Sequence, residues 1–183
     1  LVYGGNPKLF PYKHNEGQIE VLVPLPNTTF AFQPDWHHMK NWDNQLDFMN
    51  DGLWMKTASV ALGGVKASNL TAIIPDYLKE KLLIDADING PGKAVGPYFK
   101  DTPLKNTLAT ALDELQLDGD VSARLHLDIP LDGEMTTAKG DVMLNHNNLF
   151  IKPINSTVND LRGKFSFVNG NLKSEPLQAT WFN

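Results

Sequence analysis

Gly119-Asp120-Val121-Ser122-Ala123-Arg124-Leu125-His126-Leu127-Asp128-Ile129 is the stretch that decides the fold. Its odd positions are Val121, Ala123, Leu125, Leu127 and Ile129; its even positions are Asp120, Ser122, Arg124, His126 and Asp128. Successive side chains of an extended chain point to opposite faces, so this strict period of two predicts a strand with one dry and one wet face. At roughly 3.3 Å per residue the run is about 35 Å long, well beyond a common strand. Ile19, Val21, Val23 and Leu25 alternate in the same way, as do Leu82, Ile84, Ala86 and Ile88 against Leu83, Asp85 and Asp87. Leu161, Phe165 and Phe167 alternate with Arg162, Lys164 and Ser166, and Leu177, Ala179 and Trp181 with Gln178 and Thr180. Asp51-Gly52, Asn89-Gly90, Asp118-Gly119, Asp132-Gly133 and Asn169-Gly170 read as turns, because these residues tolerate positive φ. The expectation is a mainly β chain of long antiparallel strands.

One segment has a different period. Thr102 is placed to cap a helix with Pro103 at its first position, and Leu104, Leu108, Ala111, Leu112 and Leu115 then recur at helical spacing. Residues 91–99 read as a shorter helix. The organisation expected is therefore a first β module over 1–90, a helical connector over 91–117, and the strands of a next module over 118–183.

The chain also repeats itself. A shift of 119 residues carries Val23 onto Val142, Leu25 onto Leu144, Leu46 and Phe48 onto Phe165 and Phe167, Asn50 onto Asn169, and Val60 onto Ala179, with no gap. Strand phase and turn position agree better than residue identity does. A sheet that grows strand by strand is an extended structure whose apolar face must be covered or used. A large uncovered apolar face marks a binding surface, and a long trough suits a long apolar ligand.

Composition narrows the function. The 183 residues carry 16 Lys plus Arg against 21 Asp plus Glu, a net charge of −5. An acidic balance argues against nucleic acid, which needs a basic face. With no cysteine, disulfide scaffolds, thiolate metal sites and thiol nucleophiles drop out together. No stretch approaches the roughly 18 apolar residues of a transmembrane helix. Leu1-Val2-Tyr3 opens as if in mid-strand, so the sequence reads as an interior piece of something longer.

Leu125-His126-Leu127-Asp128-Ile129-Pro130-Leu131, Gly140-Asp141-Val142-Met143-Leu144-Asn145, Asn148-Leu149-Phe150-Ile151, Leu161-Arg162-Gly163-Lys164-Phe165-Ser166-Phe167 and Leu177-Gln178-Ala179-Thr180-Trp181-Phe182 resemble the AsmA-like envelope proteins. Phe30-Ala31-Phe32-Gln33-Pro34-Asp35-Trp36 and Asp51-Gly52-Leu53-Trp54-Met55-Lys56 resemble one branch of that family in particular. The resemblance implies a curved, U-shaped repeating β-groove with an apolar inner surface. It implies a periplasmic bridge, anchored in the bacterial inner membrane by a segment outside this sequence, that carries phospholipids to the outer membrane and supports its permeability barrier. Partners would be phospholipid acyl chains, the two membranes through other parts of the protein, and neighbouring modules of the same chain.

On that reading the groove is lined in the first module by Val21, Val23, Phe30, Phe32, Leu46, Phe48, Val60 and Leu62. In the second it is lined by Val121, Ala123, Leu125, Leu127, Ile129, Val142, Leu144, Leu149, Ile151, Phe165, Phe167, Ala179 and Trp181. Leu104, Leu108 and Leu112 form either a lid across the groove or packing that fills it. Sinking an acyl methylene into such a lining is worth about 0.8 kcal/mol. A near-uniform apolar track has no deep well, so a lipid can slide without a cofactor or a reaction. The competing reading is an envelope spacer or assembly scaffold with the same sheet, its apolar face sealed as an ordinary core.

An enzyme finds little support. His37-His38 beside Asp35 and Asp43 fits no metal spacing, and His14 and His146 have no ligand pattern. His126 sits on a wet face, and Asp85 and Asp87 share one where solvation is the default. Gly63-Gly64 lacks the Lys and helix of a phosphate loop, and no Gly-x-Ser-x-Gly elbow occurs. No catalytic residue, metal or cofactor is expected.

Overall fold

A computed structural model describes residues 1–14, 16–30 and 39–180. Among them are twelve strands: β1 Val2–Gly5, β2 Gly17–Phe30, β3 Met39–Met49, β4 Gly52–Leu62, β5 Val65–Ile74, β6 Lys81–Pro91, β7 Leu115–Asp118, β8 Asp120–Pro130, β9 Thr137–Ile151, β10 Ser156–Val168, β11 Asn171–Ser174 and β12 Gln178–Thr180. Helices α1 Gly92–Phe99 and α2 Leu108–Glu114 are inserted between β6 and β7. All strands join one antiparallel sheet in the order β1-β2-β3-β4-β5-β6-β8-β9-β10-β11, with β7 on β9 and β12 on β10. The sheet is not closed into a barrel. The mainly β fold read from the alternation is what the chain adopts.

The period of two explains the two faces. Register places Val23, Leu46, Met55, Ala72, Ile84, Leu127 and Ala138 in one row running from β2 to β9. That inner row is wholly apolar, and Met55, Ala72, Ile84, Leu127 and Ala138 are buried. On the outer face Arg124 Nη1 donates to Asp87 Oδ1 at 2.8 Å, His126 Nδ1 meets Asp85 Oδ1 at 3.0 Å, and Ser166 Oγ donates to Asp141 Oδ1 at 2.6 Å. Side chains from β6, β8, β9, β10 and β11 converge on one cavity, so the sheet curves around it.

The repeat extends to hydrogen-bond register. The pair Val23↔Leu46 of β2–β3 recurs, 119 residues on, as Val142↔Phe165 of β9–β10 (23 to 142, 46 to 165). The irregular pair Thr28↔Trp42 recurs as Asn147↔Leu161, and Phe48↔Leu53 as Phe167↔Leu172. The turns recur as well. Asn50 and Asn169 both take left-handed φ, 50° and 53°. Asn50 Oδ1 accepts from Ile19 N at 3.0 Å, and Asn169 Oδ1 accepts from Ala138 N at 2.9 Å. Asparagine suits the site because its short amide tolerates this backbone and reaches a neighbouring strand.

Four local expectations are corrected. Asp118-Gly119 is no reversing turn but the joint between β7 and β8, which both pair with β9. The turn at Asp51-Gly52 lies one residue earlier: Asn50-Asp51 makes it, and Gly52 already starts β4. Asn89-Gly90 is no turn but continues β6, whose eleven residues pair without interruption with β8. The main helix begins at Leu108, not at Pro103. Thr102 Oγ1 donates to Phe99 O at 2.8 Å and accepts from Leu104 N at 3.2 Å, fixing a turn there. Three-residue bonds from Lys105 N to Thr102 O and Thr107 N to Leu104 O extend it while Leu104 is driven into the core at 1% exposure. The expected connector is thus two short helices joined by turns, and Leu115, expected on the helix, instead begins β7.

Candidate functional site

The site is built on the inner face of β8, β9 and β10 and roofed by the two helices. Val121, Ala123 and Leu125 of β8, Val142, Leu144 and Leu149 of β9, and Phe165 and Phe167 of β10 line an open cavity of about 290 Å³. Leu108 and Leu112 of α2 face it from above, and among the described residues Ser174 is the one polar side chain in its wall. Gly140 makes the floor possible. A Cβ there would sit 2.0 Å from Arg124 O and 3.1 Å from Phe167 Cζ, so only glycine lets β8 and the Phe167 ring approach this closely.

Ten of the residues singled out from sequence therefore share one space. Others do not. Leu127 and Leu62 line a separate space of only about 50 Å³, where Val95, Tyr98 and Phe99 pack down onto β5 and β6. Ile129, Val60 and Leu104 are buried in the core, and Ile151 is half-buried outside the cavity. Val21, Val23 and Leu46 are half-buried and Phe48 is 36% exposed, on the same face of the sheet but beyond the helices. Ala179 is exposed and away from the cavity. Phe32 and Trp181, and the side chain of Phe30, lie outside the described residues, as do His37 and His38.

The two helices lie differently on the apolar face. Over β5 and β6, α1 fills the face: Phe99 is 6% exposed, and burial pushes the Tyr98 hydroxyl up to about 12. Over β8–β10, α2 forms a roof with space beneath it.

Sequence reasoning missed Leu115, Leu117, Leu161, Leu172, Leu177, Ile88 and Phe99, which also line the cavity. A signal for two of them existed. Leu115 and Leu117 carry the odd-numbered phase of β8 upstream through Gly119, because β7 and β8 are one strand broken at a joint. Asn147 locks that joint. Its side chain is fully buried; Nδ2 donates to Asp118 O at 3.1 Å and Asp120 O at 2.9 Å, and Oδ1 accepts from Asn145 N at 2.8 Å. β9 can then pair with β8 along its first half and with β7 along its second.

The outer face is charged but ordinary. Asp87 has its carboxyl held below the usual range, first by the Asn69 amide at 2.8 Å and then by Arg124. Among the described residues no group of three or more His, Cys, Asp or Glu side chains is placed to hold a metal, and no helix is long and apolar enough to cross a membrane. The arrangement offers a dry surface for a flexible apolar chain.

Comparison with known proteins fits this geometry. The family described as YhdP protein matches residues 1–183. A relative named intermembrane phospholipid transporter YhdP, from Escherichia coli (strain K12), is 73% identical over all 183 residues. The chain spans 14% of that relative's length. No solved structure matches.

Proposed function

Since this chain belongs to the YhdP family, we propose that it forms one section of an apolar track along which phospholipid acyl chains pass between two membranes. The observation that carries this reading is the open cavity of about 290 Å³, walled almost wholly by hydrocarbon and roofed by α2. A sealed core would leave no such volume, since protein interiors pack to the density of organic crystals. On this reading Val121, Ala123, Leu125, Val142, Leu144, Leu149, Phe165 and Phe167, of the second-module lining read from sequence, form the track's floor, with Leu108 and Leu112 as its lid. Leu127 and Ile129, with Val60 and Leu62 of the first module, support that floor as buried core. The modules proposed are 1–90 and 118–183, joined by 91–117; the shared β2–β3 and β9–β10 register supports this division.

The driving energetics are simple. Each methylene kept out of water is worth about 0.8 kcal/mol, so the track removes most of the cost of moving a tail between bilayers. Head groups stay in water at the rim. The direction proposed is from the inner to the outer membrane across the periplasm, in support of the outer-membrane permeability barrier. No bond is made or broken on this path.

Site-specific photo-cross-linking in cells tests the proposal. Probes at Leu125 and Phe165 face the cavity; probes at Arg124 and Lys164 lie among the outer ion pairs with Asp87 and Asp141. Phospholipid captured at the first pair and not the second is the expected result. A folded, active protein that captures none at Leu125 or Phe165 overturns the track in favour of a closed scaffold.

A further inference from the structure

A second, larger space of about 460 Å³ lies against the first, and its wall, though still largely apolar, carries charged and amide side chains that the first lacks. Lys93 of α1, Lys100 just after it, Asp113 of α2, Asp118 of β7, Asn148 of β9 and Thr157 of β10 contribute its polar wall. Gly92, Leu112, Leu115 and Leu117 line both spaces, so the apolar cavity and the polar cleft share one partition. Both spaces are open to solvent. A molecule with one apolar and one charged end can straddle that partition.

The charges in the cleft are loosely held. Lys93 Nζ lies 3.2 Å from Asp118 Oδ1, Lys100 Nζ 3.5 Å from Asp113 Oδ1, and Lys152 Nζ 3.4 Å from Asp113 Oδ2. Every side chain in these pairs is at least 44% exposed. Exposed pairs of this kind are worth little, so a lysine can exchange its carboxylate for another anion at small cost. Counting Lys152, which pairs with Asp113 without lining the cleft, three ammonium groups meet two carboxylates here, although the chain as a whole is acidic. A phosphodiester carries one negative charge and several acceptor oxygens, which lysine binds as a point charge. Asp118, once released, remains to face a positively charged group, while Asp113 keeps Lys152.

We propose that this corner is a holding station for a phospholipid, with an acyl segment in the apolar cavity and the phosphodiester head group in the adjoining cleft against Lys93 and Lys100. The proposal rests on the lipid-track reading and adds to it. Transport along the track is then not uniform: a lipid pauses where α1 and α2 narrow the path, and the head group is read there by charge. The zwitterionic pattern of the cleft suits a head group with both a phosphate and an amine.

The test uses two photo-cross-linking probes in the protein expressed in cells, one at Leu144 in the cavity and one at Thr157 in the cleft, with adducts read by mass spectrometry. The expected result is an acylated phospholipid at both probes. K93E/K100E should lower capture at Thr157 by about tenfold, the loss of two exposed charge contacts worth together roughly 1.4 kcal/mol, while K93R/K100R keeps it. Capture at Leu144 should fall much less, and that signal also reports that the charge-reversed protein is folded. Capture at Leu144 with none at Thr157, or capture at Thr157 that K93E/K100E leaves unchanged, overturns the station and leaves the track standing. A phosphate-containing adduct without acyl chains at Thr157 means that the cleft takes free phosphate, and overturns it too. No capture at either probe overturns the track itself.

Discussion

Asn147→Ala is the most searching perturbation of this fold, because one side chain holds the joint that shapes the cavity wall. Asn147 is 0% exposed and makes three hydrogen bonds, two to carbonyls on either side of Gly119 and one from the backbone of its own strand. Gly119 at φ +90° turns the backbone so that both carbonyls, Asp118 O and Asp120 O, point at the same amide. Each bond contributes about 1 kcal/mol net, so their joint loss costs about 3 kcal/mol. In a chain of this size that lowers the thermal midpoint by roughly 6–12 °C. Unfolding of the 183-residue chain by urea and by heat measures both numbers. Asn147→Asp should be worse at neutral pH, since an ionised carboxylate cannot donate to either carbonyl and is left charged in a dry place. Hydrogen exchange should show the β7–β9 amides opening first, with Leu117 and Leu149 losing their place in the wall. A cost below about 1 kcal/mol for Asn147→Ala, with β7 protection intact, would refute the claim that this amide holds the joint.

Three further outcomes follow from the same structure. Asn50→Ala and Asn169→Ala should each cost about 2 kcal/mol, from the strained left-handed backbone and the lost bond to Ile19 N or Ala138 N, and the two costs should match because the turns are copies; unequal losses in urea unfolding would break the structural equivalence. Leu125→Asp places a charge on a side chain that is 8% exposed, whereas Arg124→Asp changes an outer ion pair, so the first should compromise the permeability barrier far more in a cell-based assay; equal effects would sink the assignment of faces. Asp87 should titrate below the ordinary carboxylate range, and Asn69→Ala with Arg124→Ala should return it there. Because its folded value is depressed, the stability it adds is present above the ordinary carboxylate pKa and is lost as pH falls through the depressed value; carboxyl NMR titration reads this directly.

How much of this was legible in the residues depends on the range of the interaction involved. The alternation of Val121 to Ile129 needed no partner to be read, since it is imposed by the geometry of an extended chain, and β8 spans Asp120–Pro130, within one residue of the run read from Gly119 to Ile129. The 119-residue shift was legible for a related reason: strands with equal phase and equal turn spacing must pair in equal register, which is what β2–β3 and β9–β10 do. Expectations failed where burial, strand pairing or a competing side-chain bond outweighed a local preference. Pro103 is well suited to begin a helix, but the burial of Leu104 and the hydroxyl bonds of Thr102 hold it in a turn. Asn89-Gly90 has turn chemistry, but unbroken pairing with Ser122 and Val121 carries the strand through it.

The sequence by itself determined which face of strands such as β6 and β8 is dry, that the sheet is a long antiparallel run, and that strand phase and turn position recur, because these follow from side-chain periodicity along the backbone. It could not determine which dry residues meet an open space. Leu125 and Leu127 are equivalent in pattern, yet only Leu125 reaches the larger cavity, because α1 packs its aromatic side chains onto the neighbouring strands while α2 stands off β8–β10. That difference is made by how the α1–α2 insertion lies across the sheet and by the bend that Asn147 locks at Gly119, and both are contacts between residues far apart in the chain.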